Sequence, residues 1–358
     1  MFHGGNIRAC CEKYKIKPEE IIDFSSNVNN FKYSEKIKNV LLENIGKINI
    51  YPDIEQKYLR KAIAEKENLE YENVILGNGS IELIYLISKY LSPNKIKVVI
   101  PTFGEYEKAL KAFGSHVSYF RTREKDDFNL NINLLSEDIE DETGLFICNP
   151  NNPTGNLIES KQILELAKNL KRKKVFLVID EAFIDFCQDK IDPFLRKKLL
   201  EEKNVFLIRS LTKFYGLAGL RLGYGLADKD LSMLLNQMQP PWNINCFAYE
   251  IALHILENKV EDQEIRDYVR SEREYMYSAL SKIKCLKVFD SQANFVLIKL
   301  LHHAINIEIL EEELIKSKIM VRNNKSFNLE GDNYFRIAVK DHHVNEFLIQ
   351  KLKEILIM

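Results

Sequence analysis

Five short apolar runs, each stopping at a cluster of polar residues or glycines, constrain this chain more than any other feature. The runs are Asn73–Leu76, Lys97–Ile100, Gly144–Cys148, Val175–Ile179 and Val205–Ile208. Beyond them come Gly77-Asn-Gly79-Ser80-Ile81, Pro101-Thr-Phe103-Gly-Glu-Tyr106, Asn149-Pro-Asn-Asn152-Pro-Thr-Gly155, Asp180-Glu-Ala-Phe183 and Ser210-Leu-Thr212-Lys213. Apolar runs of this length, rich in β-branched residues, read as strands buried on both faces, the mark of a parallel sheet covered by helices. Ligands of open α/β sheets bind beyond the carboxyl ends of the strands, so the five clusters are expected to meet at one site.

Each cluster has an ordinary reading as a turn, a cap or core, but together they match the needs of a single cofactor. Lys213, just beyond a strand, is placed to be desolvated, and desolvation lowers an amine's pKa until it can hold an aldehyde as an imine. Arg221, eight residues on, carries a permanent charge in a fork suited to a phosphate, and the Ser210 and Thr212 hydroxyls flank the lysine. Gly79, Ser80 and Ile81 open a helix whose free amides make an anion site. Asp180 is the candidate partner of a protonated ring nitrogen, Asn152 a donor to a phenolic oxygen, and Phe103 a ring to stack on a pyridine face. Pyridoxal phosphate has all of these groups.

These residues resemble the fold-type I, aspartate-aminotransferase-like enzymes, and within them the histidinol-phosphate aminotransferase branch, over nearly the whole chain. The resemblance implies an α/β fold, with a large parallel-type mixed-sheet domain and a small α+β domain. It implies that Tyr51, in Ile50-Tyr-Pro-Asp53, reaches the cofactor phosphate of a neighbouring subunit in a homodimer with shared active sites. It also implies that Arg336, in Tyr334-Phe-Arg-Ile-Ala338, binds a substrate carboxylate, and that Arg322 is a second anion-binding arginine.

The amino terminus, His3-Gly4-Gly5-Asn6 followed by Asp23-Phe-Ser-Ser-Asn27, is similar to the threonine-phosphate decarboxylases of cobalamin biosynthesis. So are Asp180 to Phe186, where Phe183 replaces the tyrosine usual in the aminotransferases, and Pro241-Trp-Asn-Ile-Asn245. The Gly4-Gly5 pair lets backbone amides approach a ligand closely, and His3 and Asn6 add donors, a set suited to a substrate phosphate; Asn27 joins it by the resemblance. The α-carbon bond perpendicular to the cofactor ring is the one that breaks. An α-carboxylate held in the ring plane by Arg336 leads to transamination, whereas a phosphate clamped by the arm and the arginines stands the carboxylate upright for decarboxylation. The expectation is decarboxylation of L-threonine O-3-phosphate, with serine phosphate an open second substrate. Histidinol-phosphate aminotransferase and a non-catalytic, cofactor-holding regulator remain the alternatives.

A net charge of -1 with mixed signs leaves no basic footprint for nucleic acid and no polybasic membrane anchor. With no apolar run of transmembrane length and no signal-peptide pattern, a cytoplasmic protein is expected. The six cysteines show no metal spacing and read as reduced thiols, and the pairs His302-His303 and His342-His343 read as solvated surface rather than ligands. No metal is expected. The expected organisation is an arm over 1–32 that joins the small domain, a large cofactor-binding domain over 33–239 and a small domain over 240–358, with Pro240-Pro241 marking the exit from the large domain.

Overall fold

The computed structural model describes residues 4–29, 34–257, 262–301 and 304–357. Near the amino terminus, strand β1 (Ile22–Asp23) is followed by the seven strands of one sheet: β2 (Val74–Asn78), β3 (Lys95–Ile100), β4 (His116–Arg121), β5 (Gly144–Cys148), β6 (Phe176–Asp180), β7 (Val205–Ser210) and β8 (Leu222–Leu226). Their order is β2-β8-β7-β6-β5-β3-β4. Strand β8 pairs antiparallel with both β2 and β7, and every other pairing is parallel, so the five strands read from sequence share one direction.

Alternation along each strand sends side chains to two cores. Ile75, Val98, Phe146, Val178 and Phe206 pack under the helices Ser80–Leu91, Glu105–Ala112 and Lys229–Gln237. Leu76, Val99, Ile147, Ile179 and Leu207 face the opposite side, against the helices Lys57–Glu67 and Ser160–Arg172. Burial on both faces is why these strands are continuous apolar runs.

Two strands of this sheet are not legible as strands in the sequence. Strand β8 carries Gly223 and Gly225, which read as turn residues; a Cβ on Gly223 would lie 2.5 Å from the Ser80 amide, and one on Gly225 2.4 Å from Phe206. Edge strand β4 is half exposed and lacks an apolar run.

The second sheet has four strands, β9 (Leu286–Val288), β10 (Phe295–Leu300), β12 (Arg322–Asn323) and β13 (Tyr334–Ala338), in the order β12-β13-β10-β9 and antiparallel throughout. The segment 318–323 is split between two pairings. Its first part, β11 (Ile319–Met320), pairs in parallel with β1, and only Arg322 and Asn323 join the sheet.

The segment after β1 lies between the two sheets and is held from both sides. Ala338 donates its amide to Phe24 O, Asn294 Nδ2 to Asn27 O, and Asn29 donates its own amide to Lys213 O at 3.0 Å. No helix among the described residues is long and apolar enough to cross a membrane, and none of their His, Cys, Asp and Glu groups is arranged to hold a metal. His342 and His343 are exposed, as expected, and His302 and His303 lie outside the described residues.

Candidate active site

The carboxyl ends of β2, β3, β5, β6 and β7 open onto one cavity of about 360 Å³, closed on its far side by Ser25 to Asn27, Arg322 and Arg336. Lys213 lies in the short helical turn Leu211–Phe214 that begins where β7 ends. Burial, and then the charges of Arg336 and Arg221, push its amine down from 10.5 to about 8, with Asp180 opposing them. An amine so shifted is a usable nucleophile near neutral pH.

One end of the cavity is built for an anion. Gly79 caps the helix Ser80–Leu91 with φ +75° and no side-chain hydrogen bond, and Ser80 and Ile81 line the cavity. A Cβ on Gly79 would lie 2.5 Å from Arg221 Nη2, so only glycine lets the guanidinium reach this helix start. Arg221 itself has φ +58°, and its Nη1 donates to Ala218 O at 3.0 Å. Thr212 lines the cavity, but Ser210 does not: its hydroxyl accepts from the Thr212 amide and lies 2.7 Å from Thr212 Oγ1. Ser210 is thus placed as the cap that shapes the lysine turn.

At the other end of the sheet edge, Asp180 is 5% exposed. It accepts from the Tyr106 hydroxyl at 2.7 Å and from the Ala182 amide at 2.9 Å, and burial raises its pKa. Among the described residues no cation stands within ion-pair distance of it, so a bound cationic ring would relieve its desolvation. Phe103 lines the same wall and packs edge-on against Tyr106, with ring centroids 5.7 Å apart. Phe183 also lines the cavity and meets Phe295 edge-on at 5.0 Å.

Two buried arginines complete the far wall. Arg336 Nη1 donates to Asn152 Oδ1 at 2.5 Å and Nη2 to Ser25 O at 2.7 Å, and its Nε has no partner. That bond leaves the Asn152 amide nitrogen as the group able to donate into the cavity. Arg322 donates to Ser326 Oγ and stacks on Phe327, which Arg336 also covers. Burial weighs against both charges, and the Arg322 guanidinium further disfavours that of Arg336, which an anion bound beside them would relieve. Asn27 is 3% exposed, lines the cavity, and has both side-chain polar atoms without a partner.

Of the amino-terminal arm, Gly4 lines the cavity, and a Cβ there would lie 2.3 Å from Ser25 O. Gly5 does not line the cavity; its amide donates to Ser25 Oγ at 2.9 Å. Asn6 does not line the cavity; its Oδ1 accepts from the Ala9 amide and caps the helix Ile7–Tyr14, because a helix start needs that acceptor. His3 lies outside the described residues. Tyr51 does not line this cavity; it is 78% exposed and tilted against Trp242, with ring centroids 4.8 Å apart. Tyr106, Glu105, Cys148, Ser25 and Ser26 line the cavity without having been singled out in sequence. Only Tyr106 left a signal, three residues after Phe103 at the start of an apolar helix face.

A family model described as aminotransferase class I and II matches residues 19–352. The chain belongs to this family. It is 32% identical to a threonine-phosphate decarboxylase of Salmonella typhimurium, over 99% of this chain and 96% of that protein. It is 33% identical to a histidinol-phosphate aminotransferase of Methanocaldococcus jannaschii, over 96% of this chain and 91% of that one. The histidinol-phosphate aminotransferase of Sinorhizobium meliloti, solved in complex with pyridoxal-5'-phosphate, has the same fold. Its TM-score is 0.88 at 19% identity, covering 98% of this chain and 94% of that one.

Pyridoxal phosphate is the cofactor of this aminotransferase family, and the residues here fit it. The buried Asp180 carboxylate, whose pKa stays raised, suits the ring nitrogen, the Gly79–Arg221 cradle suits the phosphate, and the Lys213 amine suits the aldehyde.

Proposed function

We propose that this enzyme decarboxylates a phosphorylated amino acid, L-threonine O-3-phosphate, giving (R)-1-amino-2-propanol O-2-phosphate, with L-serine O-phosphate as the smaller substrate of the same class. The observation that carries the reading is a second anion-binding set across the cavity from the Gly79–Arg221 cradle. It comprises Gly4, the unpartnered Asn27, Arg322 and Arg336, on the side away from the strand ends. A substrate bearing both a carboxylate and a phosphate matches two buried guanidiniums better than one with a carboxylate alone.

When bound, pyridoxal phosphate supplies an aldehyde that condenses with the substrate amine and a ring that takes up the electron pair released at the α-carbon. Lys213 Nζ, its proton affinity lowered by burial and by two arginines, is the nucleophile at rest and the proton donor to the α-carbon. The Asn27–Arg322 side would hold the phosphate and so fix which bond at the α-carbon breaks. As the bond between the α-carbon and the carboxylate breaks, carbon dioxide would leave and Lys213 Nζ would give a proton to the α-carbon in its place. Phe183 offers no hydroxyl to this wall and helps to exclude water, leaving the phenolic oxygen to Asn152.

The alternative, a histidinol-phosphate aminotransferase, draws on an identity of 33% against 32% for the decarboxylase. There the Arg322–Arg336 side would hold the phosphate of histidinol phosphate, which has no carboxylate to lose, and Lys213 would remove the α-hydrogen. Cofactor recovered after exposure to the amino donor alone separates the two. Recovery as pyridoxal phosphate supports decarboxylation, and accumulation of pyridoxamine phosphate reverses the assignment. A homodimer belongs to the same proposal, supported by an exposed apolar band at Ile45, Ile48, Ile50, Tyr51, Ile54 and Tyr58. Within it, Tyr51 is the residue assigned to the partner's cofactor phosphate.

A further inference from the structure

Tyr106 is almost fully buried in the apolar core beneath the sheet edge, yet its hydroxyl leaves that core to meet Asp180 Oδ2 at 2.7 Å. The other carboxylate oxygen is held by the Ala182 amide at 2.9 Å. Each oxygen therefore receives one donor, from different elements, and the carboxylate cannot rotate without losing one of them. The Tyr106 ring is itself fixed, edge-on to Phe103 at 5.7 Å and tilted against Phe146 at 5.8 Å. One side chain thus touches both the carboxylate and the aromatic ring that line the cofactor's side of the cavity.

We propose that Tyr106 is the positioning residue for the cofactor ring: its hydroxyl orients Asp180 and holds it ionised, so that a lone pair faces the ring nitrogen and the protonated nitrogen is retained. Burial and the adjacent Asp180 charge keep the phenol protonated, so its O–H remains available to the carboxylate. Without that donor, a carboxylate already disfavoured by burial would draw the shared proton from the ring and lose its fixed orientation. The inference rests on the assignment of Asp180 to the ring nitrogen and goes beyond it by naming what sets the strength of that contact.

The test compares binding of pyridoxal phosphate and of its deaza analogue, in which carbon replaces the ring nitrogen, to the apo forms of wild type, Tyr106→Phe and Asp180→Asn. Tyr106→Phe keeps both ring contacts, and an unchanged melting temperature of the apo form checks that it folds. The wild type should prefer pyridoxal phosphate. Tyr106→Phe should lose about tenfold of that preference, the size of one hydrogen bond to a charged group, while binding the deaza analogue as the wild type does. Wild-type preference in Tyr106→Phe, or an equal loss for both ligands, overturns the role of Tyr106. Wild-type preference in Asp180→Asn as well would instead remove the assignment of Asp180 on which the inference stands.

Discussion

Arg336 Nη1 lies 2.5 Å from Asn152 Oδ1, a bond that joins the middle of β13 to the Asn-Pro loop after β5. The same guanidinium donates to Ser25 O, so the two sheets and the amino-terminal segment share one cation. Arg336→Lys keeps the charge but cannot make both bonds and still face a substrate anion. The variant should raise the KM for the amino-acid substrate by roughly ten- to a hundredfold, as expected for losing a hydrogen bond to a charged group. Cofactor affinity should change little. Steady-state kinetics beside a cofactor titration would check the split.

Gly79→Ala tests the phosphate cradle. The added methyl would stand 2.5 Å from Arg221 Nη2, at a backbone with φ +75°. The strain is on the order of 1–3 kcal/mol, and relieving it would move Arg221 away from the helix start. Fluorescence titration of the apo variant should show weaker binding of pyridoxal phosphate, by about tenfold or more on that energy scale.

The shift of Lys213 makes a prediction about pH. Its amine falls from 10.5 to about 8, so the neutral fraction grows as pH rises through that lower value. The rate at which apoenzyme condenses with pyridoxal phosphate should rise and then level off above it; a rate still climbing well beyond would show an unshifted lysine. Between the two values the folded protein binds fewer protons than the unfolded chain, so stability rises with pH across that window. Lys213→Met should flatten the slope in urea unfolding.

Beneath the site, Arg209 is fully buried among Glu67, Glu181 and Asp185, with Arg196 and Lys66 as the neighbouring cations. Arg209 precedes Ser210 and Glu181 follows Asp180, so this cluster fixes the two strand ends that carry Lys213 and Asp180. Arg209→Met should destabilise the protein by about 3–5 kcal/mol, because it strands buried carboxylates. A lowered urea midpoint would register the loss.

The common direction of five strands and the convergence of Lys213, Asp180, Asn152 and Phe103 were legible because desolvated strands read as unbroken apolar runs. Strand β8 was not, since Gly223 and Gly225 are there to admit Ser80 and Phe206, a need that appears only when the sheet is assembled. Ser210 and Asn6 also cap the helices that follow them, their oxygens accepting from the Thr212 and Ala9 amides. Such caps are set by local backbone geometry, which composition does not encode. Arg336 was found through family likeness, and its bonds to Asn152 and Ser25 join residues far apart in the chain.

The most direct measurement uses L-threonine O-3-phosphate labelled in its carboxyl carbon, incubated with the cofactor-loaded enzyme in the absence of any 2-oxo acid. Release of labelled carbon dioxide over many turnovers, with aminopropanol phosphate formed in equal amount, is the predicted result. No release from this substrate, together with turnover of histidinol phosphate when 2-oxoglutarate is supplied, would contradict the account.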